Sequence, residues 1–248
     1  MIEIKTKDQI ALMRKAGRIV AETLEIMREH VHPGMTTGEL DRIAEDYIRK
    51  QDAIPAFKGY NGFPATLCTS LNDEVVHGIP GLRALQSGDI ISIDCGAAIQ
   101  GYYGDAAVTL PVGEIEPRLA NLLKITEESL KLGITQAIIG NRLFDISHAV
   151  QTFVESNGMS VVRDYVGHGI GRKMHEEPQL PNFGRPGRGP RLEVGMALAI
   201  EPMVNLGAYQ VKTLDNGWTV VTKDRQASAH FEHTVAITEN GPEILTRI

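Results

Sequence analysis

The first fifty residues repeat apolar positions at the period of an α-helix. Between positions 7 and 30 the apolar residues recur at steps of three and four, at Ile10, Met13, Ala16, Val20, Leu24 and Met27. This spacing predicts an amphipathic helix over 7–30 that ends before Pro33–Gly34. Thr36 followed by Glu39 is a capping box and predicts the start of a second helix. The inward face of that helix carries Leu40, Ile43, Tyr47 and Ile48.

The rest of the chain alternates between strand and helix patterns. Strands are predicted at 65–71, 89–99, 102–110, 159–166, 196–204, 218–222 and 230–238. The turn Gln100–Gly101 makes the second and third of these a hairpin. Helices are predicted at about 116–132 and 142–156, the latter with Asn141 as its N-cap. The element order suggests two halves of similar make-up without visible identity, and we predict one α+β domain over residues 1–248.

Four carboxylates lie inside segments that otherwise have the composition of buried strands. They are Asp94 in IISIDCG, Asp105 in GYYGDAAVTL, Glu201 in MALAIEPMV and Glu232 in AHFEHTVAI. A single Asp in a strand is more often an edge or turn residue, but four together are harder to explain, because buried acids are rare unless paired or metal-bound. Two carboxylates about 4 Å apart repel by ~4 kcal/mol at an effective dielectric constant of ~20. Two divalent ions would balance four such charges.

One histidine completes this set of candidate ligands. His168 lies between two glycines in GHGIG, where backbone and ligand can approach closely. Antiparallel pairing in the predicted hairpin can bring Asp94 beside Asp105, and Pro202 restricts Glu201 to extended backbone. The combination predicts a two-metal hydrolytic centre. The glycines lack both GK[ST] and G-x-G-x-x-G, so a nucleotide site is not favoured.

Four other histidines are weaker candidates. His77 in EVVHGIP and His175, seven residues after His168, would more often be structural, but beside a metal they could donate hydrogen bonds to a substrate carbonyl or amide. His230 and His233 flank Glu232, and either could support the metal ligands from outside.

Composition excludes several other classes of function. The chain has 25 basic and 31 acidic residues, a net charge of −6, so it lacks the basic excess of proteins that bind nucleic acids or anionic membranes. Its two cysteines, Cys68 and Cys95, form no disulfide framework. No signal-peptide core and no apolar run of the ~18 residues of a membrane span occurs. These features predict a soluble protein of a reducing compartment.

The chain resembles the type I methionine aminopeptidases of the short bacterial form, in peptidase family M24. The resemblance covers nearly the whole length and is carried, in order, by IDCGAAIQGYYGDAAVTL, GHGIGRKMHEEP, MALAIEPM, DNGWTVVT and AHFEHTV. It implies the pita-bread fold, an α+β arrangement of two duplicated halves in one catalytic domain. It also implies removal of the N-terminal methionine of nascent polypeptides when the second residue is small. A cytoplasmic monomer with two divalent ions (Mn, Fe(II), Co or Zn) and transient ribosome contact is the matching expectation.

The resemblance also assigns roles to individual residues. The implied metal ligands are Asp94, Asp105, His168, Glu201 and Glu232, with Asp105 and Glu232 bridging the metals. Glu201 would also handle the proton of the attacking water, and His77 and His175 would contact the scissile peptide. The implied methionine pocket consists of Phe57, Tyr60, Phe63, Cys68 and Trp218. Some relatives carry Cys in place of Phe57 and Phe in place of Met174, so the resemblance predicts which residues form this pocket and not its exact shape.

Two alternatives remain at this point. One is a pita-bread peptidase that cleaves before proline, although such relatives usually carry an additional N-terminal domain and 93 residues precede Asp94. The type II methionine enzymes are not favoured, because they carry a long insertion between the His and Glu ligands, whereas in this chain only 32 residues separate His168 from Glu201. The other alternative is a binding protein of the same fold without catalysis, which would typically have lost metal ligands that this chain retains.

Overall fold

The structure, a computed structural model, describes residues 1–248 and contains helices and antiparallel sheets. Its α-helices are α1 (Lys7–His30), α2 (Thr37–Lys50), α3 (Pro117–Thr135) and α4 (Leu143–Ser156). Its first eight strands are β1 (Ile54–Pro55), β2 (Leu67–Leu71), β3 (Glu74–Val76), β4 (Ile90–Ile99), β5 (Tyr102–Pro111), β6 (Ser160–Val161), β7 (Gly167–Gly169) and β8 (Glu176–Leu180). The others are β9 (Ala197–Ile200), β10 (Met203–Asn205), β11 (Val211–Thr213), β12 (Val220–Thr222), β13 (Ser228–His230), β14 (Glu232–Thr238) and β15 (Gly241–Ile244).

The four predicted helices are confirmed, and the capping box at Thr36–Glu39 forms as expected. The predicted N-cap of α4 is wrong. Arg142 occupies that position, and its backbone N–H donates to Oδ2 of Asp145 at 2.7 Å. Asn141 instead donates its side-chain amide to the carbonyl of Gln136 at 3.0 Å. The N–H groups that the side chain of Asn141 was predicted to cap, those of Leu143 and Phe144, instead donate to the carbonyls of Pro190 and Arg188, at 3.0 and 3.1 Å.

The predicted hairpin of β4 and β5 forms the middle of a nine-stranded antiparallel sheet. Gln100 and Gly101 both have positive φ, 52° and 76°, as a two-residue turn between twisted strands requires. The main path of the sheet runs β1-β4-β5-β14-β9-β7-β8, with β2 on β4 and β15 on β14. Its strands come from both halves of the chain. Two smaller sheets contain β13-β10-β6 and β11-β12-β3.

Three of the predicted long strands are interrupted. The segment 196–204 divides into β9 and β10 around Glu201–Pro202, since Pro202 has no N–H to donate. The segment 230–238 divides at Phe231, and its two parts enter different sheets. In 159–166 only β6 pairs, because the chain from Arg163 onward bends toward a cavity that Tyr165 lines. Several short strands were not predicted, because a segment of two to five residues is too short to show a clear alternation of apolar and polar positions.

The main core lies between the large sheet and the helices, and it includes 42 buried apolar residues in one cluster. Helix α1 packs directly on β4 and β5. The approach is closest at Gly104, where an added Cβ would lie 2.6 Å from the backbone nitrogen of Gly17. Asp105, the next residue in β5, points away from α1, so this packing positions the strand that carries the acid. None of the helices has the length and apolarity needed to cross a bilayer.

Candidate metal centre

The strand register places the four acids and His168 on one face of the large sheet. Ala107 of β5 lies opposite Asp94 on one side and Glu232 on the other. Asp105 is two residues from Ala107 and therefore shares its face. On the neighbouring strands His168 lies opposite Ala199, which shares a face with Glu201. The small side chains of these alanines leave room for the acids above them.

These residues line one cavity of about 220 Å³. All of the predicted metal ligands, the two histidines expected to contact substrate and the predicted methionine pocket lie on its wall: Phe57, Tyr60, Phe63, Cys68, His77, Asp94, Asp105, His168, His175, Glu201, Trp218 and Glu232. The cavity is also lined by Asn61, Val76, Tyr165, Val166, Met203 and His230.

The donor atoms are arranged as a cation site. Nε2 of His168 lies 3.5 Å from Oε1 of Glu201 and 3.9 Å from Oδ2 of Asp105. One ligand atom each from Asp105, His168 and Glu232 lies within 4.8 Å of the others. The Nδ1–H of His168 donates to the carbonyl of Gly169 at 2.9 Å, which leaves the Nε2 lone pair facing the acids.

Several buried oxygens of the site have no hydrogen-bond partner. These are Oδ1 of Asp94, Oδ1 of Asp105 and Oε1 of Glu232. A buried polar atom without a partner is destabilising, and a carboxylate oxygen more so. A divalent cation would satisfy all of them, and carboxylates with imidazole suit Mn, Fe, Co or Zn. The residues therefore fit a metal centre.

The electrostatics of the site support the same conclusion. Burial raises the pKa of Asp94 to about 7, and burial followed by neighbouring carboxylates raises the pKa of Asp105 and Glu232 well above their usual range. Burial also raises the pKa of Glu201. Burial lowers the pKa of His168 to about 3. At neutral pH the imidazole is therefore neutral, and the acids need either protons or a bound cation.

Apolar side chains form a pocket beside the acids. Phe57, Phe63, Cys68 and Met174 are buried in one cluster. The indole of Trp218 contacts Phe63 edge to face, with ring centroids 5.1 Å apart. Met174, only 1% exposed, packs within this cluster, and its side chain and that of Phe57 both approach Gly96. This pocket can hold an apolar side chain next to the metal ligands.

Two histidines lie at the cavity as hydrogen-bonding groups. The ring of His175 lies 4.2 Å from that of His168, and its Nδ1 is 2.8 Å from the hydroxyl of Tyr60. His77 packs edge-on against Tyr165 at 5.7 Å. Its backbone φ is 59°, an uncommon conformation for a side chain of this size, and burial lowers its pKa to about 4.

The structure separates the two histidines that flank Glu232. His230 lines the cavity, whereas His233 lies on the opposite face of β14, where its Nδ1 is 2.9 Å from Oγ1 of Thr246. Of these two histidines, only His230 is therefore placed to contact the candidate metal ligands. Tyr165 was missed entirely; the bend three residues before His168 places it at the cavity, and no periodicity signals a bend.

Comparison with known proteins identifies the class. Residues 11–239 match the model of metallopeptidase family M24, and the chain belongs to this family. The relatives place it among the type I methionine aminopeptidases. Methionine aminopeptidase of Clostridium acetobutylicum is 61% identical, with 99% of both chains aligned. Methionine aminopeptidase 1 of Bacillus subtilis is 58% identical with both chains fully covered.

Solved structures confirm the expected fold. The crystal structure of methionine aminopeptidase from Thermotoga maritima superimposes with a TM-score of 0.99 at 49% identity, with both chains fully covered. Prolidase from Pyrococcus furiosus gives a TM-score of 0.77 at 24% identity and is covered to 65% of its length by 99% of this chain. The second likeness concerns the fold alone. The pita-bread prediction is confirmed.

Proposed function

We propose that this protein removes the N-terminal methionine from nascent polypeptides whose second residue is small, by hydrolysis assisted by two divalent ions. The observation that carries the proposal is the junction of two features in one cavity, the set of acids with His168 and the apolar pocket beside it. The methionine aminopeptidases named above, which match the chain over its full length, support this substrate.

The metal ligands would be Asp94, Asp105, His168, Glu201 and Glu232, with Asp105 and Glu232 shared between two ions. The four carboxylates supply the charge that two divalent ions neutralise, and the unpartnered oxygens of three of them support this assignment. When bound, the ions would polarise the scissile carbonyl and bring the pKa of a water toward neutrality.

The protein side chains would handle the proton and the developing charge. Glu201 takes the proton of the attacking water and delivers it to the leaving amine; its carboxylate, at 13% exposure, faces the cavity beside His168. With the hydroxyl of Tyr60 donating to Nδ1 of His175, the Nε2–H of that ring can donate to the oxyanion. His77 would contact the scissile peptide from its own part of the cavity wall.

The pocket would select methionine because its flexible thioether fits among apolar and aromatic side chains. Phe57, Tyr60, Phe63, Cys68 and Trp218 form the walls of this pocket. Discrimination at the second residue would be steric, since the cavity has a volume of only about 220 Å³. We expect cleavage before Gly, Ala and Ser and poor cleavage before Leu or Lys.

Residues 1–248 would act as one catalytic domain, and the large sheet, with strands from both halves, supports this. The protein would act as a monomer in the cytoplasm on emerging N-termini, in transient contact with the ribosome. No nucleic acid or membrane is needed for this role.

The test is hydrolysis of Met-Ala-Ser by chelator-treated protein to which Mn, Fe(II), Co or Zn is added back. Metal-dependent release of methionine, with much slower release from Met-Leu-Ser, is the expected result. Cleavage of Met-Pro peptides without release from Met-Ala-Ser would favour a proline-directed enzyme. Folded, metal-loaded protein that cleaves neither peptide would contradict the proposal and favour a binding role.

A further inference from the structure

His230 is the one buried histidine of the cavity whose ring makes no hydrogen bond. It is 1% exposed, and both of its ring nitrogens lack a partner. Native proteins rarely leave such a group unsatisfied, because an unpaired buried polar atom destabilises by about 1–3 kcal/mol. The five ligands proposed above do not include it. Its ring therefore requires an explanation of its own.

The position of the ring follows from the strand pairing. His230 ends β13 and lies opposite Met203, which follows Glu201 by two residues. The hydroxyl of Thr109 accepts from the backbone N–H of His230 at 2.9 Å and donates to its carbonyl at 2.8 Å. Both backbone groups of the residue are thus held by one side chain from β5. The ring is aimed into the cavity by a rigid backbone.

Distances to the neighbouring acids match a shared cation better than a hydrogen bond. Nε2 of His230 lies 3.6 Å from Oε2 of Glu201, beyond the 2.7–3.2 Å range of an N–H···O bond. Two donors on one ion, each at ~2.1 Å, can lie up to about 4.2 Å apart. Glu201 is flanked symmetrically, since its other oxygen lies 3.5 Å from Nε2 of His168.

Two carboxylates lie close to the ring of His230. One ligand atom each from Glu201, His230 and Glu232 lies within 4.8 Å of the others, beside the group formed by Asp105, His168 and Glu232. The two groups share Glu232. We propose that His230 is a further metal ligand through Nε2, so that the centre contains two imidazoles. This inference depends on the metal binding in the proposed function and does not depend on the substrate.

The test counts the imidazoles bound to Co(II), used alone as the probe. In the proton NMR spectrum of Co(II)-loaded protein, each coordinated histidine contributes one exchangeable, strongly shifted ring N–H signal. Nδ1 of His168 is hydrogen-bonded and Nδ1 of His230 is buried, so both protons should exchange slowly. We expect two signals from the unaltered protein and one from His230→Gln. The matched control, His233→Gln, alters the adjacent histidine on the outer face and should keep two.

A single shifted signal from the unaltered protein would overturn the proposal, and this count holds even if the variant fails to fold. A second measurement compares affinities for Co(II) and Mn(II). Because imidazole favours Co(II) more than Mn(II), His230→Gln should weaken Co(II) about tenfold and Mn(II) much less. Equal weakening of both ions would indicate a residue that only positions Glu201, which also contradicts direct ligation.

The outcomes separate this inference from the proposed function. Metal-dependent hydrolysis of Met-Ala-Ser together with one shifted signal would leave the function standing and remove His230 from the ligand set. Two shifted signals without hydrolysis of any methionine peptide would do the reverse.

Discussion

Replacing Asp105 by Asn should stabilise the metal-free protein while it weakens metal binding. Ligand atoms of Asp105 and Glu232 lie within 4.8 Å of each other, and both side chains are buried. At that separation two unit charges repel by ~3.5 kcal/mol at an effective dielectric constant of ~20. Proton uptake relieves part of this repulsion in the metal-free protein. We therefore expect a gain of about 1–3 kcal/mol in the free energy of unfolding at pH 8.

The pH dependence follows from the raised pKa of Asp105. The protonated acid contributes stability that is fully present below its unfolded pKa of about 4 and is lost as the pH rises through the folded pKa. Asparagine cannot ionise, so the advantage of the variant should grow with pH and disappear near pH 4. Asp94, with a pKa raised to about 7, titrates in both proteins.

Urea unfolding of chelator-treated protein at pH 5 and pH 8 measures the effect. Saturating Mn(II) should reverse the order, since an ion at 100 times its Kd stabilises by about 2.7 kcal/mol and the variant would bind it less tightly. A variant that is less stable than the original protein at pH 8 without metal would refute the electrostatic argument. Equal stabilisation of both proteins by Mn(II) would remove Asp105 from the ligand set.

Three further predictions concern packing and binding. Lys5→Met removes the cation from a buried ion pair with Glu176 and should lower the free energy of unfolding, measured in urea, by about 3 kcal/mol. The double variant with Glu176→Gln leaves no unpaired charge and should recover most of that loss. Gly104→Ala places a methyl group against the backbone of α1 and should lower the free energy of unfolding by about 1–3 kcal/mol. The control is Gly81→Ala, where the added Cβ has open space around it, and this change should leave the free energy of unfolding nearly unaltered. Trp218→Ala should raise KM for Met-Ala-Ser by about tenfold with a smaller change in kcat, because the indole lines the apolar pocket; a fall in kcat at unchanged KM would contradict a pocket role.

Much of the fold was predictable because its signals are local. The helix from Lys7 to His30 repeats its apolar residues over about five turns, and the hairpin of β4 and β5 is marked by Gln100–Gly101. The interruption of the strands at Pro202 and Phe231 was not predictable from alternation alone. Alternation describes which side chains share a face within one strand, and it stops at a point where the chain passes from one sheet to another.

The candidate site divides in the same way. Acids in apolar strands are visible in the sequence because the burial of a charge demands a partner wherever the strand lies, and all of the acids predicted on this basis line one cavity. The histidines beside Glu232 are different, since His230 and His233 both lie within two residues of it along the chain. Their faces depend on the break at Phe231, which leaves β13 in a small sheet and β14 in the large one. The sequence by itself determined that a cation-binding set of acids exists, because that requirement is local and chemical. Only the tertiary structure decided which of these two histidines faces it, because pairing between distant strands sets the direction of each side chain.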